Sequence, residues 1–594
     1  MKTRKMLAVV ALAAFAAASA PQTMRAEIKD SKEKTSPAIR ITPPAPRFSD
    51  AERQAELAKR RRQVADRIGK NGVLILMSAE PKLYTNDVNY EFRQENNLYY
   101  LTMLRQKGAT LVLMPGNGET ASEVLFLPKR DPANETWNGR MYSKEDAQRI
   151  SGVKTVLDSS ELPAFIEAMK KKQAYASPGS VSIKTSGENL FLLLPQTEKD
   201  SIGKREYRQE NDFSKTLQGV EWKVNNAQPI FAELRLVKSP YELKILQHAI
   251  DITTEAFGRS MGMVGRAKYE YEVEAEVEYT YRRRNADYWG YPSIVGCGPN
   301  ATTLHYEESQ GEVKPGDLLL MDVGAEYDHY TADVTRTFPV NGKFSKEQAE
   351  IYQIVYNAQE AVMRQTRPGV RFQKLGEAAD EVIKNGLAKL GLITAPNATF
   401  KIKLASGEMY DAPQYRLWYM HGLGHWLGMN VHDVGDYNTP LKAGMVFTNE
   451  PGIYIREDAL DYALQMPENR DVLQKIRPAF ERYKNIGVRI EDDILVTNSG
   501  AEWMTKMLPR TITDIESFMA RAKQEMPVSR IETERFPASR IFFDASANLL
   551  QPENPLGVFS PADNMSGRTL RSGFVGTAKN YVLNDSHSHS HSEE

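Results

Sequence analysis

Four acidic residues stand in stretches of this chain that are otherwise written for a dry interior. Leu318-Leu319-Leu320-Met321-Asp322-Val323-Gly324 has the pattern of a buried strand ending in a carboxylate, and residues 330–338 alternate like a second strand around Asp333. Glu450 closes an apolar run at Thr448-Asn449-Glu450-Pro451-Gly452, and Glu491 interrupts another at Val488-Arg489-Ile490-Glu491-Asp492-Asp493. A buried carboxylate is costly unless it is paired or metal-bound, so any fold of this chain has to provide for all four. Read as one hairpin with Tyr327-Asp328 at its tip, the first two runs put Asp322 directly opposite Asp333. Facing residues on one side of a hairpin have Cβ atoms ~4.5–5.5 Å apart, and two ionised carboxylates that close repel unless a proton or a metal lies between them. This pair alone is served equally by a metal site and by a solvated hairpin.

Between the two acidic pairs lies Met420-His421-Gly422-Leu423-Gly424-His425-Trp426-Leu427-Gly428-Met429-Asn430-Val431-His432-Asp433. Each of its glycines weakens a helix by roughly 1 kcal/mol relative to alanine, so the stretch reads as strand or loop with backbone packed too closely for side chains. Imidazoles interleaved with such glycines suggest a site; satisfied core histidines in a buried turn are the plainer reading. Two Asp, two Glu and one His together form an oxygen-rich ligand set, which suits Mn, Co or Zn in a two-metal centre better than a thiolate site does.

Formal charge is nearly balanced, at −1, which gives no reason to expect a nucleic-acid partner. Cys297 is the one cysteine, so no intramolecular disulfide forms. Lys2, Arg4 and Lys5 precede a short apolar, Ala-rich run, the pattern of a secretory signal peptide over 1–26 and of a secreted or periplasmic protein. No later segment is long and apolar enough to span a bilayer.

Residues 27–47 are polar and proline-containing, a flexible or extended linker. Ser49 is placed to cap a helix over 50–68, and short apolar runs at 73–77, 110–114 and 124–127 read as strands, so 48–225 is an α/β domain. A second domain occupies 231–524. It contains capping boxes at Ser239-Pro240-Tyr241-Glu242 and at Ser345 with Gln348, and a last helix capped at Thr513 with Glu516. Residues 527–594 are an irregular tail, ending with His587, His589 and His591 alternating with serine.

Met321-Asp322-Val323-Gly324, Thr331-Ala332-Asp333, His421-Gly422-Leu423-Gly424-His425, Asn449-Glu450-Pro451-Gly452 and Arg489-Ile490-Glu491-Asp492, in this order, resemble the pita-bread metallopeptidases, over residues 48–523. The resemblance implies a creatinase-like α/β domain followed by a pita-bread catalytic domain, and two divalent ions, Mn(II) first with Zn and Co as alternatives. It implies Asp322, Asp333, His425, Glu450 and Glu491 as ligands, Asp333 and Glu491 bridging, with Glu450 also activating water. His305 would line the substrate pocket, His432 would polarise the scissile carbonyl, His421 would support the pocket wall, and Arg489 would help hold the pocket or a substrate carboxylate.

Phe92-Arg93-Gln94 followed by Tyr99-Tyr100-Leu101-Thr102 is similar to the amino-terminal domain of the aminopeptidase P branch. Glu135-Thr136-Trp137-Asn138-Gly139-Arg140 is similar to a tryptophan segment that such enzymes offer to a neighbouring subunit. That implies a homo-oligomer, dimer or tetramer, acting on peptides with proline second; Trp137 as an ordinary core residue is the alternative. Asn449, the insert over 456–484 and the tail depart from the pattern, and the insert is more like prolidase. A prolidase-like dipeptidase and a metal-free binding module on the same scaffold are therefore carried as alternatives.

Overall fold

The computed structural model describes residues 37–117, 123–178, 182–185, 187–197, 199–404, 406–463 and 466–526. The expected signal peptide at 1–26, the first part of the linker and the tail at 527–594 with His587, His589 and His591 lie outside the described residues. Among the described residues no helix is long and apolar enough to cross a membrane. The remainder of the linker is extended and fastened: Ala38 and Ile39 N–H donate to the Glu525 carboxylate and Thr42 N–H to Glu255.

The amino-terminal part begins with the helix Asp50–Ile68, whose Ser49 cap and Glu52 form the reciprocal pair of a capping box. Its sheet has six strands in the order Lys223–Asn226, Asn189–Leu192, Gly72–Met77, Thr110–Leu113, Glu123–Leu127, Thr155–Asp158, mixing parallel and antiparallel pairs. The three short apolar runs are thus strands. The helix Asn96–Thr102 is buried along its length. Its Leu98 and Tyr99 share one apolar cluster with Tyr330, Ala332, Leu427 and Met429 of the carboxy-terminal part. The two parts are therefore packed as one body, with the joint close to the acidic hairpin.

In the carboxy-terminal part, helices Pro240–Met263 and Glu270–Arg283 pack together, as do Lys346–Gln365 and Phe372–Leu390. Both expected capping boxes are present at Ser239 and Ser345. The last helix starts earlier than the sequence suggests, with Thr511 as its cap accepting from Asp514 N–H. Glu516 is then free to face outward and accept from Phe344 N–H and Lys343.

Leu318–Val323 is the middle strand of three, between Ile294–Cys297 and Val334–Pro339. The hairpin register differs from expectation. Asp322 faces Thr335, not Asp333, because the tip is Asp328-His329. Both tip residues have positive φ, 48° and 67°, as a type I′ turn requires. Moving the tip by one residue shifts the pairing by two and preserves the face, so Asp333 becomes the diagonal neighbour of Asp322. Asp333 itself falls in the break between Tyr330–Thr331 and Val334–Pro339.

A second strand system supplies the other acids. Val446–Asn449 pairs with Asp492–Val496, and Gly452–Tyr454 with Gly487–Arg489. Glu491 lies between two of these strands and meets the first system through its N–H, which donates to Thr335 O at 3.1 Å. Arg336 locks this junction from a fully buried position, paired with Asp492 at 2.6 Å and donating to Glu491 O at 2.6 Å. Removing one partner of such a pair costs about 3–5 kcal/mol, because the other charge stays buried.

Candidate active site

The two strand systems and the glycine-rich stretch converge on one cavity of about 310 Å³. Asp322, Asp333, His425, Glu450 and Glu491 all line it, as do His305, His421, His432 and Arg489. Trp137 does not; it lies on the helix Pro132–Asn138 with 87% of its surface exposed, which rules out the core reading.

The stretch from 420 to 433 is a loop with a single bridge, Trp426 to Phe447. Gly424 is there for close approach: a Cβ at this position would sit 2.0 Å from Thr448 O. That contact lets His425 N–H bond Thr448 Oγ1 at 3.0 Å, and Thr448 Oγ1 in turn donates to Glu450 Oε1 at 3.0 Å. One threonine thus sets the relative position of a histidine and a glutamate far apart in sequence.

His425 Nδ1 faces Trp426 O at 3.1 Å, so its proton belongs on Nδ1 and Nε2 points at the acids. Nε2 is 3.2 Å from Asp333 Oδ2 and 3.4 Å from Glu450 Oε1. Holding one ring nitrogen on a backbone carbonyl and aiming the other inward is how metal-bound imidazoles are oriented. Asp333, His425 and Glu491 each offer a ligand atom within 4.8 Å of the others.

Asp322 is bound on both oxygens. Arg489 Nη2 meets Oδ2 at 2.5 Å, and the Tyr291 hydroxyl meets Oδ1 at 2.6 Å. The same hydroxyl is 2.5 Å from Asp333 Oδ1. Thr335, opposite Asp322 in the hairpin, donates to Glu491 Oε2 at 2.7 Å and accepts from Arg489 Nε at 3.1 Å. Arg489 Nη1 donates to the Tyr454 hydroxyl at 2.8 Å, which lies 2.9 Å from His421 Nε2. His421 Nδ1 faces Gly422 O at 2.8 Å, so Nε2 is the acceptor and the chain runs from Arg489 through Tyr454 to His421.

Crowding four carboxylates out of water has the expected electrical consequence. Burial raises Asp333, and burial with the neighbouring acids drives Glu491 well above the carboxylate range. Burial lifts Glu450 to about 7 against the pull of His425. Burial works against a charge on His425, but the Asp333 hydrogen bond and Glu450 overcome it and raise the imidazole to about 9. His421 is pushed down to about 3 by burial and by Arg489, and His432 to about 4 by burial and by His425, whose ring is 4.2 Å away. Burial thus disfavours negative charge on Asp333, Glu450 and Glu491 as long as no cation lies among them. Four carboxylates facing one guanidinium and one imidazole are a donor set that fits divalent ions.

Sequence reasoning passed over Tyr291, Thr335, Thr448 and Tyr454. Tyr454 follows Glu450 by four residues and Tyr291 closes the aromatic run Tyr288-Trp289-Gly290-Tyr291, but neither carries a charge that would mark it as part of a ligand set.

Comparison with known proteins agrees with this geometry. Residues 244–498 match metallopeptidase family M24, and residues 57–176 match the aminopeptidase P N-terminal domain. A Xaa-Pro aminopeptidase of Haemophilus influenzae is 36% identical over 473 residues, covering 78% of this chain and 97% of the relative. That of Escherichia coli is 32% identical over 482 residues, covering 80% of this chain and 100% of the relative. Among solved structures, Escherichia coli aminopeptidase P with the inhibitor Pro-Leu superposes with a TM-score of 0.63 at 30% identity, over 79% of this chain and 99% of that one. Pseudomonas aeruginosa aminopeptidase PepP gives 0.64 at 32%, over 79% and 99%.

Proposed function

The chain belongs to metallopeptidase family M24, and from that premise we propose that it is a Xaa-Pro aminopeptidase, releasing the first residue of peptides whose second residue is proline. The observation that carries this reading is the single cavity in which Asp322, Asp333, His425, Glu450 and Glu491 meet His305, His421, His432 and Arg489. The relatives named above, each aligned over nearly its whole length, support the substrate class.

In this reading Asp322, Asp333, His425, Glu450 and Glu491 hold two divalent ions, Mn(II) before Zn or Co; four carboxylates match the charge of two such ions. When bound, the ions supply Lewis-acid activation of the scissile carbonyl and of the attacking water. Glu450 would take a proton from the attacking water and return it to the leaving amine. His432 is uncharged at neutral pH, and its ring N–H donates to the carbonyl oxygen as negative charge develops. Asp322, held by Arg489, receives the substrate's amine. His305 lines the substrate pocket, and His421 stiffens the wall through Tyr454.

We extend the reading to the whole protein: export directed by residues 1–26, an amino-terminal domain over 48–225, a catalytic domain over 231–524, and a homo-oligomer in which Trp137 reaches a neighbouring pocket. The exposure of Trp137 supports the last point.

The test is a paired assay of the manganese-loaded protein on a tripeptide X-Pro-Y and a dipeptide X-Pro. Release of X from the tripeptide is expected. Cleavage of the dipeptide alone would make it a dipeptidase, and inertness on both would favour a binding role.

A further inference from the structure

One arginine of the amino-terminal part touches both chain segments that carry active-site residues, the acidic hairpin and the glycine-rich loop. Arg93 Nε lies 2.9 Å from each oxygen of Glu326. Its Nη1 donates to Asn96 Oδ1 at 2.8 Å and its Nη2 to Met429 O at 2.8 Å. Glu326 belongs to the acidic hairpin, on the same face as Asp322 and opposite Thr331, which precedes Asp333 by two residues. Met429 lies in the loop between His425 and His432.

Hairpin and loop also meet directly, through Thr331 N–H on Gly428 O at 3.0 Å. Asn96 reinforces the loop side, donating to Asn430 Oδ1 at 2.9 Å. Arg235 joins the same Asn430 oxygen at 2.7 Å and Asp433 Oδ1 at 2.6 Å. Asp433 is the neighbour of His432, so the loop is held on both sides of that histidine.

We propose that Arg93 is a positioning residue that sets the spacing between the hairpin carrying Asp322 and Asp333 and the loop carrying His425 and His432. The inference rests on the aminopeptidase reading and adds to it a task for the amino-terminal domain. Only a planar fork of N–H donors satisfies a carboxylate, a side-chain amide and a backbone carbonyl at once; a lysine ammonium is a point charge on a flexible stem. The Arg93 side chain is 39% exposed but that of Glu326 only 8%, so losing the arginine also leaves a largely buried carboxylate without its cation, a cost to stability that is separate from its effect on rate. What the contact supplies is geometry. Ligand-bearing segments from two separate chain regions have to agree to a fraction of an ångström, and misplacement by ~1 Å can cost ~100-fold in rate.

The experiment compares wild type with Arg93→Met, Arg93→Lys, Arg93→Ala and Glu326→Gln, all manganese-loaded, on X-Pro-Y. Arg93→Met is expected to lose roughly ten- to a hundredfold in kcat at saturating manganese, with KM unchanged and manganese content brought to the wild-type level by that excess. Amide exchange over residues 425–433 should rise at the same time. Arg93→Lys should stay near the Met variant, and millimolar guanidinium ion should restore part of the Arg93→Ala rate. Wild-type kcat in Arg93→Met, or a loss that guanidinium does not relieve and that tracks global unfolding, overturns the proposal. Should the arginine variants fail to fold, Glu326→Gln takes away the charge and one of the two acceptor oxygens on the hairpin side of the link, and an unchanged kcat and exchange pattern there overturns it equally. A wild-type protein inert on X-Pro-Y sinks the aminopeptidase reading instead, and exchange over 425–433 in Glu326→Gln then decides the clamp by itself.

Discussion

The Tyr291 hydroxyl lies 2.5 Å from Asp333 Oδ1, close enough to govern that carboxylate, and the same oxygen is 2.6 Å from Asp322. A phenol has one proton and satisfies one acid at a time. Burial and the two acids hold Tyr291 well above the usual phenol range, so it remains a donor. Tyr291→Phe should weaken metal retention by about 10- to 100-fold, the usual effect of losing a group that orients a ligand. Competition with a chelator measures this, and wild-type retention would mean that Tyr291 orients neither aspartate.

His432→Ala should retain both metals and lose turnover. A preorganised donor to a developing oxyanion contributes about 2.7–4 kcal/mol, or ~100- to 1,000-fold in kcat. Metal analysis beside single-turnover kinetics separates the possibilities, and a variant that lost its metal would make His432 a ligand.

Metal uptake should release protons. A group raised on folding stabilises the fold below its unfolded pKa and loses that contribution as pH climbs through the folded value. His425 rises from 6.5 to about 9 and Glu450 from 4.5 to about 7. Without metal, stability should therefore fall through Glu450 as pH climbs from 4.5 to about 7 and through His425 as it climbs from 6.5 to about 9. His421 and His432, lowered to about 3 and about 4, oppose this trend only below 6.5. Binding at pH ~7.5 displaces the His425 proton. Calorimetry of manganese binding in buffers of different ionisation enthalpy counts the protons; zero release would remove His425 from the ligand set.

Trp137→Ala should leave stability within about 0.5 kcal/mol, as expected for an exposed site without partners in the core. If Trp137 serves a neighbouring pocket, KM for longer peptides rises and metal content stays constant. Sedimentation gives the subunit number, and a fully active monomer would end the shared-pocket idea.

How much of this was legible beforehand follows from the range of each interaction. Ser49, Ser239 and Ser345 cap helices through contacts three residues long, so the sequence alone announces them, and the apolar runs announce the strands in the same way. The misplaced cap at Thr513 shows the limit, since Thr511 and Asp514 make an equally good local pair and only Glu516 meeting Lys343 and Phe344 decides between them.

By itself the sequence determined that four carboxylates and a group of histidines had to be accommodated in a largely apolar interior, because the cost of burying a charge is a property of the residue. Tertiary structure decided how. The turn at Asp328-His329 made Asp322 and Asp333 diagonal neighbours, since its backbone twist matches the strands it joins. Thr448, Tyr291 and Arg93 then tied together residues separated by up to several hundred positions. Hydrogen bonds act over about 3 Å, and nothing in a linear order of residues says which distant partners a fold will bring within that distance.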